Sequence, residues 1–297
     1  MKHDTIIVGG GFAGLAAATY LGRARRRVLV LDTGRPRNRF SVASHGFLGQ
    51  DGRGPMDILG DARNQLGSYP TVEIAHDEAV AAQRLDAGFK VDLANGKRIS
   101  APTLILAFGL QDTLPEIPGL SDRWGNSVLH CPYCHGFEFS DRQLGVLYRT
   151  EMSIHQAQLI TEWGPTTLFL NGHTLAKEHL DALNQRHVRI EADIVAALNG
   201  SGTDLSSIAL DGGREVAIEA LYIAPQSSLS SPLANQLGAN ITETVMGPVI
   251  DTDDTKMTSV PGLFAAGDIA RAPHSVSWAV GDGVTAGTAV HRALVFG

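Results

Sequence analysis

The sequence predicts a two-domain α/β fold of three-layer, doubly wound type, and three observations carry that expectation. At the N-terminus an apolar strand runs into a glycine turn, a helix and a second strand. In the middle of the sequence a strand–helix–strand–helix series recurs. Near the C-terminus a short apolar strand ends in Gly267-Asp268 and leads into a long helical segment. Strands alternating with helices in this way build parallel sheets with helices on their faces.

Taken in order, Thr5–Val8 (TIIV) is a β-branched run suited to a strand buried on both faces. It enters Gly9-Gly10-Gly11-Phe12-Ala13-Gly14, a G-x-G-x-x-G turn; Leu15–Leu21 then reads as a helix and Val28–Leu31 as a strand ending at Asp32. In that setting Gly9 permits the tight turn, Gly11 lets backbone approach a pyrophosphate, and Gly14 lets the helix pack closely on the strand. Phe12 and Ala13 lie between them, where free N–H groups and the positive end of the helix dipole would meet the phosphates. Asp32 stands where a carboxylate accepts ribose hydroxyls, so this Rossmann-like unit predicts a bound dinucleotide. The basic cluster Arg23–Arg27 falls at the end of the predicted helix, where cations favour the dipole, and reads as a solvated terminus. Further on, Glu73–Val80 and Lys90–Leu93, with a turn at Asn95-Gly96, predict a small β unit.

The C-terminal segment decides between NAD(P) and FAD. An Asp directly after Gly at the end of the strand Leu263–Ala266 can hold a hydroxyl of a ribityl group, which NAD(P) lacks. The helix predicted over His274–Val295, with Val276 near its start, presents a positive N-terminus suited to the edge of a flavin where charge collects on reduction. FAD is therefore the expected cofactor.

Both cysteines of the 297-residue protein lie in "HCPYCHGFE", His130–Glu138. A C-x-x-C-H run can attach a c-type haem, contribute to a zinc site, open a glutaredoxin-like domain, or form the redox disulfide of a flavoenzyme. Haem attachment needs export, and the N-terminus passes straight into a strand with no secretory h-region. A structural zinc site needs four ligands; Cys131, Cys134 and one flanking histidine would give three with no second cysteine pair, so no metal is expected. A glutaredoxin motif opens its domain, whereas this pair lies deep in a sequence with FAD features at both ends. The flavin-linked reading alone connects all three features.

Composition agrees. Apolar residues at 43%, charged residues at 19% and a formal charge of −7 describe a globular protein without general affinity for nucleic acid or anionic membrane. No apolar run reaches the ~20 residues of a membrane span. Two cysteines three apart do not make a structural disulfide framework, and the expected compartment is the reducing cytoplasm.

These features together resemble the low-molecular-weight thioredoxin reductase family of FAD-dependent pyridine-nucleotide-disulfide oxidoreductases. The resemblance spans nearly the whole sequence: the N-terminal fingerprint, "LILAFG" (Leu104–Gly109) in place of the family's A-T-G strand, the central C-x-x-C, and the terminal G-D. The C-x-x-C-H-G motif is similar to the branch containing the gliotoxin and holomycin dithiol oxidases. "GRPRNRFSVASHGFLGQDG" (Gly34–Gly52) looks like that branch's FAD-contacting loop, which implies Arg37, Asn38 and His45 as cofactor neighbours. The resemblance implies thioredoxin reductase-like, FAD/NAD(P)-binding domains in a homodimer. A discontinuous FAD domain would span residues 1–113 and 246–297, with an inserted NADPH-domain-like module at 114–245 carrying the C-x-x-C. It further implies Cys134 as the flavin-facing sulfur and Cys131 as the interchange thiol. Many family members carry Asp after the second Cys; here His135 takes that place, a residue able to exchange protons near neutral pH.

One part of the pattern fails. After the strand Leu144–Tyr148, the second G-x-G-x-x-A positions fall on Tyr148, Thr150 and Ser153, and no glycine remains for close approach to a pyrophosphate. The βαβ skeleton persists through Ile154–Trp163, Thr166–Leu170 and Leu175–Gln185, but ordinary NADPH binding is not expected. Three electron routes stay open: a dithiol substrate with O2 as acceptor, a reduced electron-transfer protein, or NADPH in an altered pose on Arg149. Two substrate classes follow, a small-molecule dithiol or disulfide and a thioredoxin-like protein, beside a rival in which the flavin and disulfide act as a sensor without turnover.

Overall fold

The computed structural model describes residues 2–297. The protein forms two compact units. One comprises the sequence up to Arg39, Pro55–Asp112 and Ser227–Gly297; the other comprises Phe40–Gly54 and Thr113–Gln226.

The first unit is built on a five-stranded parallel sheet in the order Leu263–Ala265, Thr103–Leu106, Thr5–Val8, Val28–Leu31, Val72–Ala75. Side chains alternate across it. Ile7, Val30, Ile105 and Phe264 face a helical layer, where Leu15, Ala18 and Leu21 of helix Phe12–Arg23 meet Ala286 and Val290 of helix Val276–Phe296. Ile6, Leu29, Leu104 and Leu106 face the opposite layer, an antiparallel sheet of Ala79–Leu85, Gly88–Leu93 and Arg98–Ala101 that contributes Phe89 and Val91. Full burial of each such side chain is worth about 1.5–3 kcal/mol relative to exposure, so both faces of the apolar strands are used. The first and last helices cross closely. A Cβ at Gly283 would run into the Ala13 carbonyl, and one at Gly287 would lie 2.8 Å from that of Ala17.

The second unit repeats this plan. Its parallel sheet runs Arg189–Glu191, Thr166–Phe169, Leu144–Leu147, Ala220–Tyr222, Val128–Leu129. Helices Met152–Ile160 and Lys177–Gln185 cover one face through Ile154, Ala157, Ile160 and Leu183. The antiparallel strands Val195–Asn199, Ser207–Leu210 and Glu215–Ala217 cover the other through Val195, Leu198, Ile208 and Leu210.

Several boundaries differ from expectation. Glu73–Val80 is two elements: Val72–Ala75 completes the parallel sheet, and the backbone turns at Asp77 before Ala79 starts the antiparallel one. Helix Pro55–Leu66, amphipathic through Ile58, Leu59 and Leu66, has no counterpart among the elements expected from sequence. The polypeptide returns to the first unit at Ser227 rather than at 246, because Leu233, Ala234 and Leu237 of a short helix pack into the first unit's core. Among the described residues, no helix is long and apolar enough to cross a membrane.

Candidate active site and cofactor cradle

In the first unit the cradle is made where strand Thr5–Val8 turns into helix Phe12–Arg23. Gly9 has φ +114°, and a Cβ there would collide with the Ala107 carbonyl. A Cβ on Gly14 would collide with the Gly9 carbonyl, so this glycine is set by helix–strand packing. Gly11 is different. Its φ of −84° suits any residue, and an added Cβ would meet no protein atom within 4 Å. The protein itself gives Gly11 no reason to be glycine, whereas a bound group approaching the helix start would. No side-chain hydrogen bond caps that start, leaving N–H groups for a phosphate.

Asp32 is buried at the end of its strand. Its Oδ1 accepts the Gly34 N–H at 2.8 Å, and its Oδ2 accepts from Arg63 Nε at 3.0 Å. With Gly34, Met56, Arg63, Ile74 and His76 it lines a cavity of about 240 Å³. Sequence reasoning missed Arg63; its one signal was the polar face of the unassigned Pro55–Leu66 helix.

At the other end of the cradle, Arg37 grips Asp112 with two parallel hydrogen bonds, Nε–Oδ2 at 2.8 Å and Nη2–Oδ1 at 2.6 Å. Its Nη1 reaches Asp268 Oδ2 at 3.0 Å and His274 Nδ1 at 2.9 Å, and Nη2 reaches Ser227 Oγ at 3.2 Å. A guanidinium has five N–H donors, and these contacts use all of them. Arg37 therefore organises Asp268 and has no donor to spare for a cofactor. Burial holds His274 below the usual imidazole range, against the pull of Asp268, which suits the neutral ring whose Nδ1 accepts from Arg37. The remaining Asp268 oxygen has no partner among the described residues, so it can take a hydroxyl. Gly267, at φ +80°, brings this turn to within 3.0 Å of Ala13 Cβ, measured from its ideal Cβ position. Gly109, also in the left-handed region, hands its carbonyl to the Ser230 N–H. Val276 is the first residue of the final helix, after Ser275, whose hydroxyl accepts the Trp278 N–H at 3.1 Å. Asn38 is half-buried in the turn Arg37–Phe40. The open space over Gly11, the carboxylate of Asp32 and the unpaired oxygen of Asp268 fit an extended dinucleotide with a ribityl group.

The cysteine pair belongs to the second unit. Strand Val128–Leu129 delivers His130 and Cys131, and Pro132–His135 forms a single helical turn, followed by a second turn at Phe137–Phe139. Gly136 separates the two turns because a Cβ there would press on the Pro132 carbonyl and the Trp163 ring. Both thiols are free and half-buried. The Cys134 thiol and the Cys134 and Tyr133 backbone N–H groups all donate to Cys131, which lowers its pKa below the ordinary thiol value. Cys134 is pushed far upward by holding that hydrogen bond, by burial and by the negative charge of Cys131 and Glu138. These are local hydrogen bonds; a four-residue turn has too little dipole to act alone.

Around the pair, burial and neighbouring His45 keep His135 below the usual imidazole range, while Glu138 pulls the other way. The His45 and His135 rings stand edge to face at 5.9 Å, and His45 Nε2 lies 3.4 Å from Glu138 Oε1. His45 thus sits beside the cysteine motif in the second unit, whereas the glycine cradle belongs to the first. Tyr133 and Phe137, on the two turns that follow Cys131, are 74% and 82% exposed.

The second strand-to-helix turn is closed by its own residues. Ser153 is fully buried, and its hydroxyl accepts the N–H groups of Arg149 at 3.1 Å and Thr150 at 3.5 Å. These two N–H groups lie in the loop just before helix Met152–Ile160, at the turn where the family's second glycines would stand. Arg149 Nη1 donates to the Thr113 and Ala224 carbonyls, both at 3.3 Å, and Tyr148 packs on His173 with ring centroids 5.2 Å apart.

Residues 3–283 match the family described as pyridine nucleotide-disulphide oxidoreductase. The protein belongs to that family. This oxidoreductase is FAD-dependent and acts on sulfur groups, and its fold is thioredoxin reductase-like. It is 33% identical to thioredoxin reductase tcpT of Claviceps purpurea, over 96% of this sequence and 92% of that one. It is 30% identical to thioredoxin reductase sirT of Leptosphaeria maculans, over 97% and 93%. Among solved structures, an oxidoreductase from Agrobacterium tumefaciens superimposes with a TM-score of 0.94 at 42% identity, covering 100% of this protein and 99% of that one.

Proposed function

We propose that this oxidoreductase exchanges electrons with a small-molecule dithiol or disulfide through Cys131 and Cys134, and that it does not draw them from NADPH. The observation that carries the second half is Ser153. Its hydroxyl holds two loop N–H groups at the turn a nucleotide phosphate would approach, no glycine remains at Tyr148, Thr150 or Ser153, and Arg149 donates to carbonyls. FAD, held by the first unit through Gly9, Gly11, Gly14, Asp32 and Asp268, supplies the two-electron couple that returns the cysteine pair to its starting state.

The protein's own groups then account for the exchange, taken in the dithiol-oxidising direction. A substrate thiol loses its proton to the neutral imidazole of His135 and attacks Cys131 Sγ of the oxidised pair. The S–S bond breaks, and Cys134 departs as a thiolate and takes up the proton that His135 had accepted, as its raised pKa favours. The second substrate thiol gives its proton to His135 in turn and attacks the first sulfur, forming the substrate disulfide and releasing Cys131 as the thiolate that three local donors stabilise. Two electrons leave the substrate, and the protein holds a Cys134 thiol, a Cys131 thiolate and the second proton on His135. The exposed rings of Tyr133 and Phe137 offer an apolar approach for a compact substrate. In this reading the protein works as a homodimer, as the family resemblance implies, in the reducing cytoplasm that its cysteine usage suggests.

A second reading, reduction of a thioredoxin-like protein, is favoured by the names of the relatives. Anaerobic mixing separates the two. Dithiothreitol should bleach the flavin absorbance of the purified protein within seconds, and NADPH at equal concentration should not. Rapid bleaching by NADPH overturns the proposal, and bleaching by neither leaves the sensor reading.

A further inference from the structure

His45, His135 and Glu138 bring three potential ligand atoms within 4.8 Å of one another in the second unit. Zinc holds nitrogen and oxygen ligands at about 2.0–2.2 Å in a tetrahedron, which places ligand atoms roughly 3.3–3.5 Å apart. The His45 Nε2 to Glu138 Oε1 edge is already 3.4 Å. No two of these atoms are more than 4.8 Å apart, so at most about 1.4 Å of closure is needed (4.8 Å against a tetrahedral 3.4 Å), within reach of a small turn of the exposed Glu138 side group or of an imidazole.

The scaffold suits such a site. His135 and Glu138 are three apart on consecutive helical turns. His45 is carried by a loop pinned where Ser44 N–H donates to the Arg53 carbonyl at 2.7 Å and Gly52 N–H to the Ser44 carbonyl at 2.9 Å. The second ring nitrogen of His45 faces the Asp51 carboxylate at 3.6 Å. A carboxylate behind a metal-facing imidazole is the usual outer partner that fixes ring orientation. Two imidazoles and one carboxylate are also the donor set of open zinc sites, where a fourth position is left to water or substrate. Unlike a zinc site built on the cysteines and their flanking histidines, this set uses neither sulfur and draws one ligand from the Phe40–Gly54 segment.

We infer that His45, His135 and Glu138 form a reversible site for a divalent ion of the zinc class. Occupancy ties up the His135 lone pair and so inhibits thiol–disulfide exchange. The inhibitory half rests on the role of His135 in the proposed function; the binding half does not.

Cobalt(II), titrated into the FAD-loaded protein with the cysteines oxidised, tests binding directly. One equivalent per polypeptide should give the d–d bands of a four-coordinate nitrogen/oxygen site, and zinc should erase them. The variant with Cys131→Ser and Cys134→Ser should bind as tightly as the parent. His45→Ala and Glu138→Gln should each weaken binding by at least ~10-fold, since even outer partners are worth that much. Flavin content reports that each variant is folded. Undiminished affinity in both ligand variants, or lost affinity in the double cysteine variant, overturns the site. Zinc that binds yet leaves dithiol turnover unchanged upholds the site and removes His135 from proton transfer.

Discussion

Cys131 and Cys134 share one hydrogen bond and are driven apart in pKa by it, one downward and one upward. The reactive form of a thiol is the thiolate, so Cys131 should alkylate first. In the reduced protein, the pH of half-maximal iodoacetamide labelling at Cys131 is expected below the ordinary thiol range. Because the Cys134 thiol is the largest cause of that lowering, Cys134→Ala should move the Cys131 midpoint upward. Mass spectrometry of the labelled peptide reads both, and an unmoved midpoint removes the hydrogen bond from the account. Gly11 gives a second prediction at this scale. Its backbone angles are ordinary and its surroundings open, so Gly11→Ala should leave the thermal midpoint of the FAD-free protein nearly unchanged or slightly raised, by about 0.4–1 kcal/mol of stability. The same change should weaken FAD binding at least ~10-fold, measured by flavin fluorescence. Equal FAD affinity would mean that nothing approaches Gly11.

Among elements, the short 3-10 turn Arg37–Phe40 shows how one side chain can fix a segment that no sheet or long helix holds. Five donors reach two carboxylates, an imidazole and a hydroxyl. A lysine keeps the charge but cannot repeat the fork. Arg37→Lys should lose about 1.5–3 kcal/mol, the worth of one hydrogen bond to a charged group, and should lower FAD occupancy because Asp268 loses its anchor. Denaturant unfolding and the ratio of flavin to protein absorbance check the two effects, and wild-type values in both would reduce the network to surface decoration. The sequence could suggest that this loop mattered, but not what Arg37 touches: Asp112, Ser227, Asp268 and His274 lie 75 to 237 positions away. The strands and the glycine turn were legible because their signal is local, in period and spacing. Arg63 on Asp32, and His45 beside Glu138, were not, since each pairing exists only after distant segments fold together. Ser153 is intermediate. The missing glycines were visible in the sequence, while the hydroxyl that bonds the Arg149 and Thr150 N–H groups at that turn required the backbone to be seen.

At the scale of the whole molecule, the three-layer α/β class was legible because both units write it twice, in apolar strands separated by helices and closed by short antiparallel strands. Boundaries were less so. Segment 227–245 has no long periodic pattern, and its membership is decided by Leu233, Ala234 and Leu237 entering a core assembled from distant parts of the sequence.

The Ser153 hydroxyl also has a bearing on how ordering is distributed. A turn whose loop N–H groups already bond a buried hydroxyl gains little from a visitor, whereas one with open space over Gly11 is steadied when something docks. Hydrogen–deuterium exchange with and without added flavin dinucleotide should therefore be lopsided. Protection should rise around Val8–Leu15 and stay level around Leu147–Ile154, so that one half of the protein carries its own keystone while its structural twin waits for a borrowed one.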